Sequence, residues 1–129
     1  MFLPITLAAA AAAAFINIWL SIRIGMIRAA KKILIGDGGD EDLIRRMRAQ
    51  ANFIENAPIS LVLIAVIELA RGPNMWLMGA AAAFTLGRVA HGVGMDGGPL
   101  GRLRGLGTLV TIVVQAGLAV WAVSIALDA

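Results

Sequence analysis

"RAQANFIENAPISLVLIAVIELA", residues 48–70, passes without a break from a polar helix face into an apolar run. Arg48, Asn52 and Glu55 follow at i, i+4 and i+7, a spacing that stacks them on one side of a helix. From Phe53 to Ala70 the chain is almost wholly apolar, approaching the roughly 20 residues a helix needs to cross a hydrocarbon core. A charged face at the mouth of a membrane-length helix is the feature to be explained.

Three more stretches share that length and character: Leu3–Ile22, Met75–Met95 and Leu106–Leu127. The sequence is 60% hydrophobic and only 15% charged, against about 25% charged in a soluble domain. Four spans with short connections predict an all-α, four-helix transmembrane bundle forming one domain over residues 1–129. The seven alanines at 8–14 resemble a signal-peptide cleavage region, but no Lys or Arg precedes them. The first span is therefore expected to be retained.

The eleven basic residues set the orientation. Arg23, Arg28, Lys31, Lys32, Arg45, Arg46 and Arg48 surround the first connection, and Arg102 and Arg104 lie at the third. The second connection has only Arg71. The positive-inside rule puts the first and third connections in the cytoplasm and both termini on the other side. Net charge +3 then points to anionic lipid headgroups rather than nucleic acid. The absence of cysteine excludes disulfides and thiolate chemistry by the protein itself, and a lone His91 excludes a polyhistidine metal site.

Local signals predict the connections. Gly36 suits the end of the first helix and Asp40 the N-cap of the second. A first helix running Leu3–Leu34 would reach about 48 Å, beyond a core of about 30 Å. Pro73 suits the start of helix three. Pro58 is expected to kink helix two. Glu68 is expected to pair with Arg71 at i, i+3, and Asn17 to act as helix-packing glue.

A second polar group lies in the third span, where Arg88 and His91 share a face. Glu55 lies about 22 Å from the far end of its helix, and Arg88 and His91 about 20 and 24 Å from the far end of theirs. Antiparallel helices bring them to one level, where an Arg88–Glu55 ion pair is the natural neutralisation. Ionisable groups at such depth are either binding groups or pairs that fix helix register.

"RAQANFIENAP" resembles the second-helix signature of the MAPEG proteins, the membrane-associated proteins of eicosanoid and glutathione metabolism: Arg48, Asn52, Glu55 and Pro58 fit its spacing. "GRVAHGVGM" resembles the third-helix segment of the microsomal glutathione transferase and prostaglandin E synthase branches, through Gly87, Arg88 and His91. The resemblance covers the whole chain. It implies a homotrimer binding glutathione between subunits near the cytoplasmic face, with Arg48, Asn52, Glu55, Arg88 and His91 in the site. It further implies Arg104 as the group stabilising the glutathione thiolate, with Arg102 the alternative, and Arg28 for a carboxylate of the tripeptide. The compact, alanine-rich chain suggests a bacterial inner-membrane member.

Glutathione carries two carboxylates, an ammonium and a thiol of ordinary pKa about 8.5, so arginines plus one glutamate match its charges. The resemblance thus implies a transferase or peroxidase acting on a lipophilic electrophile. One departure bears on catalysis: the chain has no tyrosine, and Met95 stands where the nearest pattern has one. A non-catalytic scaffold or lipophile-binding protein is the alternative. A small multidrug exporter is disfavoured because Leu3–Ile22 lacks the acidic residue such exporters use.

Overall fold

The computed structural model describes residues 1–129. Four helices follow one another: α1 (Pro4–Lys31), α2 (Glu41–Arg71), α3 (Met75–Gly94) and α4 (Arg102–Leu127), with a short 3-10 turn at Gly98–Leu100 before α4. Short connections make successive helices antiparallel neighbours. The first and third connections therefore share one end, the basic end, and the termini lie at the other.

α1, α2 and the Gly98–Leu127 segment containing α4 are long and apolar enough to cross a membrane. α3, with 20 residues, falls short of the apolarity that the sequence suggested for all four. The reason is Arg88, His91 and a run of glycines, which dilute its hydrophobicity but are buried inside the bundle. The outward face meets the membrane instead: Phe15, Val62, Leu86 and Val120 are exposed on four different helices. Large apolar side chains on a protein exterior suit a lipid solvent.

Two apolar clusters stack along the bundle. Ile5, Ile64, Ile67, Leu77 and Leu118 fill the end near the termini. Ile16, Leu20, Ala49, Phe53 and Phe84 fill the half nearer the basic end. α3 and α4 pack against each other most extensively, and glycine makes this possible. A Cβ at Gly107 would sit 2.4 Å from the Gly87 carbonyl oxygen and 2.6 Å from the His91 amide nitrogen. At Gly94 it would lie 2.0 Å from the Arg104 amide nitrogen. These are backbone atoms, so only glycine permits the approach.

The helix ends depart from expectation in two places. α1 stops at Lys31, about 42 Å long at 1.5 Å per residue, and Lys32 rather than Gly36 takes the left-handed cap, with φ 56°. Its amide bonds the Arg28 carbonyl. Asn74 rather than Pro73 starts α3, its side chain accepting from the Leu77 amide at 2.9 Å. α2 continues unbroken through Pro58. Asp40 caps α2 as expected, accepting from the Leu43 amide at 2.9 Å.

Glu68 does not pair with Arg71. It is buried and reaches across to α1, accepting from the Ile5 amide at 2.9 Å, the Thr6 amide at 2.8 Å and the Thr6 hydroxyl at 2.6 Å. The first amides of a helix have no partner within it, so a carboxylate supplied by another helix satisfies them. Arg71 pairs with Asp128 instead, at 3.0 Å. Asn17 bonds Gln50 across α1 and α2, as helix-packing glue should.

Candidate functional site

Near the basic end, α2, α3 and α4 enclose an open pocket of about 580 Å³, within the roughly 300–1,000 Å³ range of small-molecule sites. α2 supplies Arg48 and Asn52, α3 supplies His91 and, at its C-cap, Met95, and α4 supplies Arg104, Gly105, Thr108, Leu109 and Ile112. Four of the residues singled out from sequence thus converge: Arg48, Asn52, His91 and Arg104. Local geometry explains each placement. Arg48 and Asn52 are one turn apart on α2, and the Gly107 and Gly94 approaches draw the first turns of α4 against the end of α3. Both Arg102 and Arg104 are exposed, but only Arg104 lines this pocket.

Arg88 lies behind the pocket wall, 2% exposed. Its Nη2 donates to Asn52 Oδ1 at 2.7 Å. The expected Arg88–Glu55 ion pair is absent, because Glu55 faces outward on α2 and Asn52, one turn earlier, meets the guanidinium. Arg88 Nε is the one buried side-chain nitrogen or oxygen with no hydrogen-bond partner. No carboxylate pairs with Arg48, Arg88 or Arg104, whereas Arg23, Lys31, Arg45, Arg46 and Arg71 all have acidic partners. The pocket region therefore carries positive charge that the chain does not neutralise. Charge of this kind at a membrane edge favours an anionic ligand.

Arg28 lies apart. It lines a second pocket of about 510 Å³ between α1 and α2, with Ser21, Gly25, Met47 and Gln50. Its Nη1 donates to the Gly36 carbonyl at 2.8 Å and to the Ile33 carbonyl at 3.3 Å, holding the first connection. Within one chain Arg28 does not join Arg104.

Sequence reading missed the α4 wall. Gly105, Thr108, Leu109 and Ile112 recur with helical spacing after Arg104, and that periodicity was the available signal. It also missed Gln115, whose amide nitrogen donates to Ser60 Oγ at 3.0 Å and to the Asn56 carbonyl at 3.2 Å. These bonds tie α4 to α2 below the pocket.

No curated protein of known function matches the chain significantly. The profile of the MAPEG family, by contrast, matches residues 6–124. That span includes all four helices almost end to end and every residue of the pocket, so the chain belongs to the MAPEG family, the integral membrane proteins built as four-helix bundles.

Proposed function

We propose that the protein binds glutathione at the pocket of Arg48, Asn52, His91 and Arg104 and uses it against lipophilic electrophiles as a transferase or peroxidase. The observation that carries this reading is the unneutralised charge: Arg48 and Arg104 line the pocket without acidic partners, and Arg88 behind it also has none and keeps Nε unbonded. Two glutathione carboxylates supply the missing anions, and bidentate arginine–carboxylate pairing gives the tripeptide its register. Glu55 faces outward on α2, outside this pocket, and has no ion pair in the chain; it meets the ligand's ammonium group only where the ligand lies between neighbouring copies.

When bound, glutathione supplies the nucleophilic sulfur. Arg104 holds positive charge at the α4 side of the pocket and favours the thiolate over the thiol, the proton passing to water. His91, buried in the α3 wall, limits water on that side. Leu109 and Ile112 form the apolar flank through which an electrophile dissolved in the membrane approaches. In the transfer reaction a carbon–sulfur bond forms and the leaving group departs with its electron pair.

Arg28, which the family resemblance adds to the site, joins it only in a multi-subunit assembly. It opens onto a separate face with Gln50, so it reaches the same ligand only from a neighbouring copy. A homotrimer, with the basic end in the cytoplasm of a bacterial cell, is the assembly this reading takes. The test is calorimetric titration of glutathione into detergent-purified protein, with Arg48→Ala and Arg104→Ala alongside. Wild type should bind and Arg48→Ala should lose at least about tenfold in affinity, or about 1.4 kcal/mol. Arg104→Ala should lose turnover of an activated aryl chloride. A folded wild-type protein that takes up no glutathione sinks the proposal.

A further inference from the structure

At the basic end one carboxylate gathers three helices. Asp96, two residues beyond α3, accepts from Arg23 Nη2 of α1, and its other oxygen accepts from Arg46 Nε of α2 at 3.3 Å. Its backbone carbonyl lies 3.5 Å from Arg45 Nη1. The two arginines are themselves linked, because Arg46 Nη1 donates to the Arg23 carbonyl at 2.7 Å. Arg23 Nη1 donates to the Gly92 carbonyl at 2.9 Å, and its guanidinium carbon lies 4.7 Å from the centre of the Trp19 ring. Arg23 is buried, so its side chain is fixed on all sides.

This cluster is outside the pocket, but it ties α2, one wall of the pocket, to the connection between the α3 and α4 walls. Asp96 follows Met95, a pocket residue, and begins the connection that delivers Arg104. That connection is rich in glycine: Gly97 and Gly98 have positive φ and Gly101 precedes α4. Its own backbone bonds, such as Gly97 to the Gly94 carbonyl and Gly101 to the Gly98 carbonyl, reach neither α1 nor α2. Arg46, which grips Asp96, is two residues from Arg48 on the same helix. Arg48 and Arg104 repel one another across a pocket with no carboxylate between them. Gly94 and Gly107 seat α4 on α3, and the bond from Arg46 to Asp96 ties that pair to α2, opposing the repulsion before an anion arrives.

We propose that Asp96 is a positioning residue: its bonds to Arg46 and Arg23 fix the glycine-rich α3–α4 connection so that Arg104 faces the same pocket as Arg48. The inference rests on the glutathione reading of that pocket. Asp96 does not touch the ligand; it acts through Arg104. An unrestrained connection would leave the pocket open but the thiolate poorly stabilised.

The test uses the full chain in detergent with glutathione as the probe, comparing wild type, D96N, D96E and R46Q. R46Q removes one arm of the cluster while leaving the Arg23–Asp96 pair, which keeps a folded variant available. Two quantities are read: the pH titration of the bound thiol by thiolate absorbance, and hydrogen exchange of amides 101–106 against 110–125. D96N and R46Q should raise the apparent thiol pKa by about one unit, a tenfold loss of thiolate at neutral pH. They should speed exchange in 101–106 alone, and D96E should restore both. A wild-type thiolate signal that D96N and R46Q leave unmoved overturns the role of Asp96, even if their melting temperatures fall. Absence of the signal in folded wild type overturns the glutathione reading, and the positioning role with it.

Discussion

Arg88 Nη2 donates to Asn52 Oδ1 at 2.7 Å, and this is the one side-chain bond that joins the polar face of α2 to the buried cation of α3. The guanidinium is 2% exposed, with Nε unpartnered. Hydrogen bonds to charged groups contribute about 1.5–3 kcal/mol. Asn52→Leu, which keeps approximate size but removes the acceptor, should therefore lower stability by about that amount in reversible unfolding from detergent. Arg88→Met should restore part of the loss in the Asn52→Leu background, because the uncompensated charge is then gone. An additive double mutant would mean that the two side chains do not depend on each other.

The α3–α4 approach makes a sharper prediction. Gly107→Ala would bring a methyl within 2.8 Å of three atoms of α3, two of them main chain. The helices must separate, at a cost of about 1–3 kcal/mol for overpacking. Gly105, two residues away, has nothing within 4 Å of an added Cβ. Gly105→Ala should be neutral or stabilising by up to about 1 kcal/mol through helix propensity. Thermal melts of the two variants decide the matter, and equal effects would deny the close crossing.

The sequence contrast between these glycines was invisible before folding, since a glycine in a helix reads the same whether it faces lipid or a neighbour. Much else could be read directly. The i, i+4, i+7 spacing of Arg48, Asn52 and Glu55 put them on one face, and two of the three do line the pocket. Glu55 escaped because three residues at about 100° each put it some 60° around the helix from Asn52, and it is Asn52 that meets Arg88. Arg88 does meet α2 at this level, but its partner is Asn52 rather than Glu55. Arg28 was harder still: proximity in sequence to the charged connection says nothing about which pocket a helix face overlooks. Glu68 misled because the i, i+3 rule assumes a solvated helix, while this carboxylate is drawn into the bundle by the unpaired amides of α1.

That carboxylate should be needed for the start of α1. Glu68 satisfies the Ile5 and Thr6 amides and the Thr6 hydroxyl together. Glu68→Ala removes every one of those acceptors and leaves buried donors unpaired, each costing about 1–3 kcal/mol. Hydrogen exchange should quicken at Ile5 and Thr6 while the α2 amides around residue 60 stay protected. Glu68→Gln keeps an acceptor oxygen and should give an intermediate result. Unchanged protection of the first turn in Glu68→Ala would show that the helix start is held by packing alone.

At the other end, the α1–α2 connection should respond to acid. The Lys31 ammonium bonds Asp40 at 2.6 Å and, with the Leu43 amide, holds the Asp40 carboxyl below its ordinary value of 3.8. A carboxyl whose folded pKa is lowered adds stability that is complete above the unfolded value and disappears as pH falls through the folded one. Hydrogen exchange at the first turn of α2 should thus be flat from neutral pH to about 5, once corrected for intrinsic rates, and rise below about 4. Lys31→Met should move that rise toward higher pH, since the largest cause of the lowering is removed while the Leu43 amide remains. Asp40→Asn can still cap the helix but cannot titrate, so its protection should lose the acid-dependent step. Persistence of the step in Asp40→Asn would assign it to another carboxyl, such as Asp42, which Lys31 also contacts at 3.3 Å.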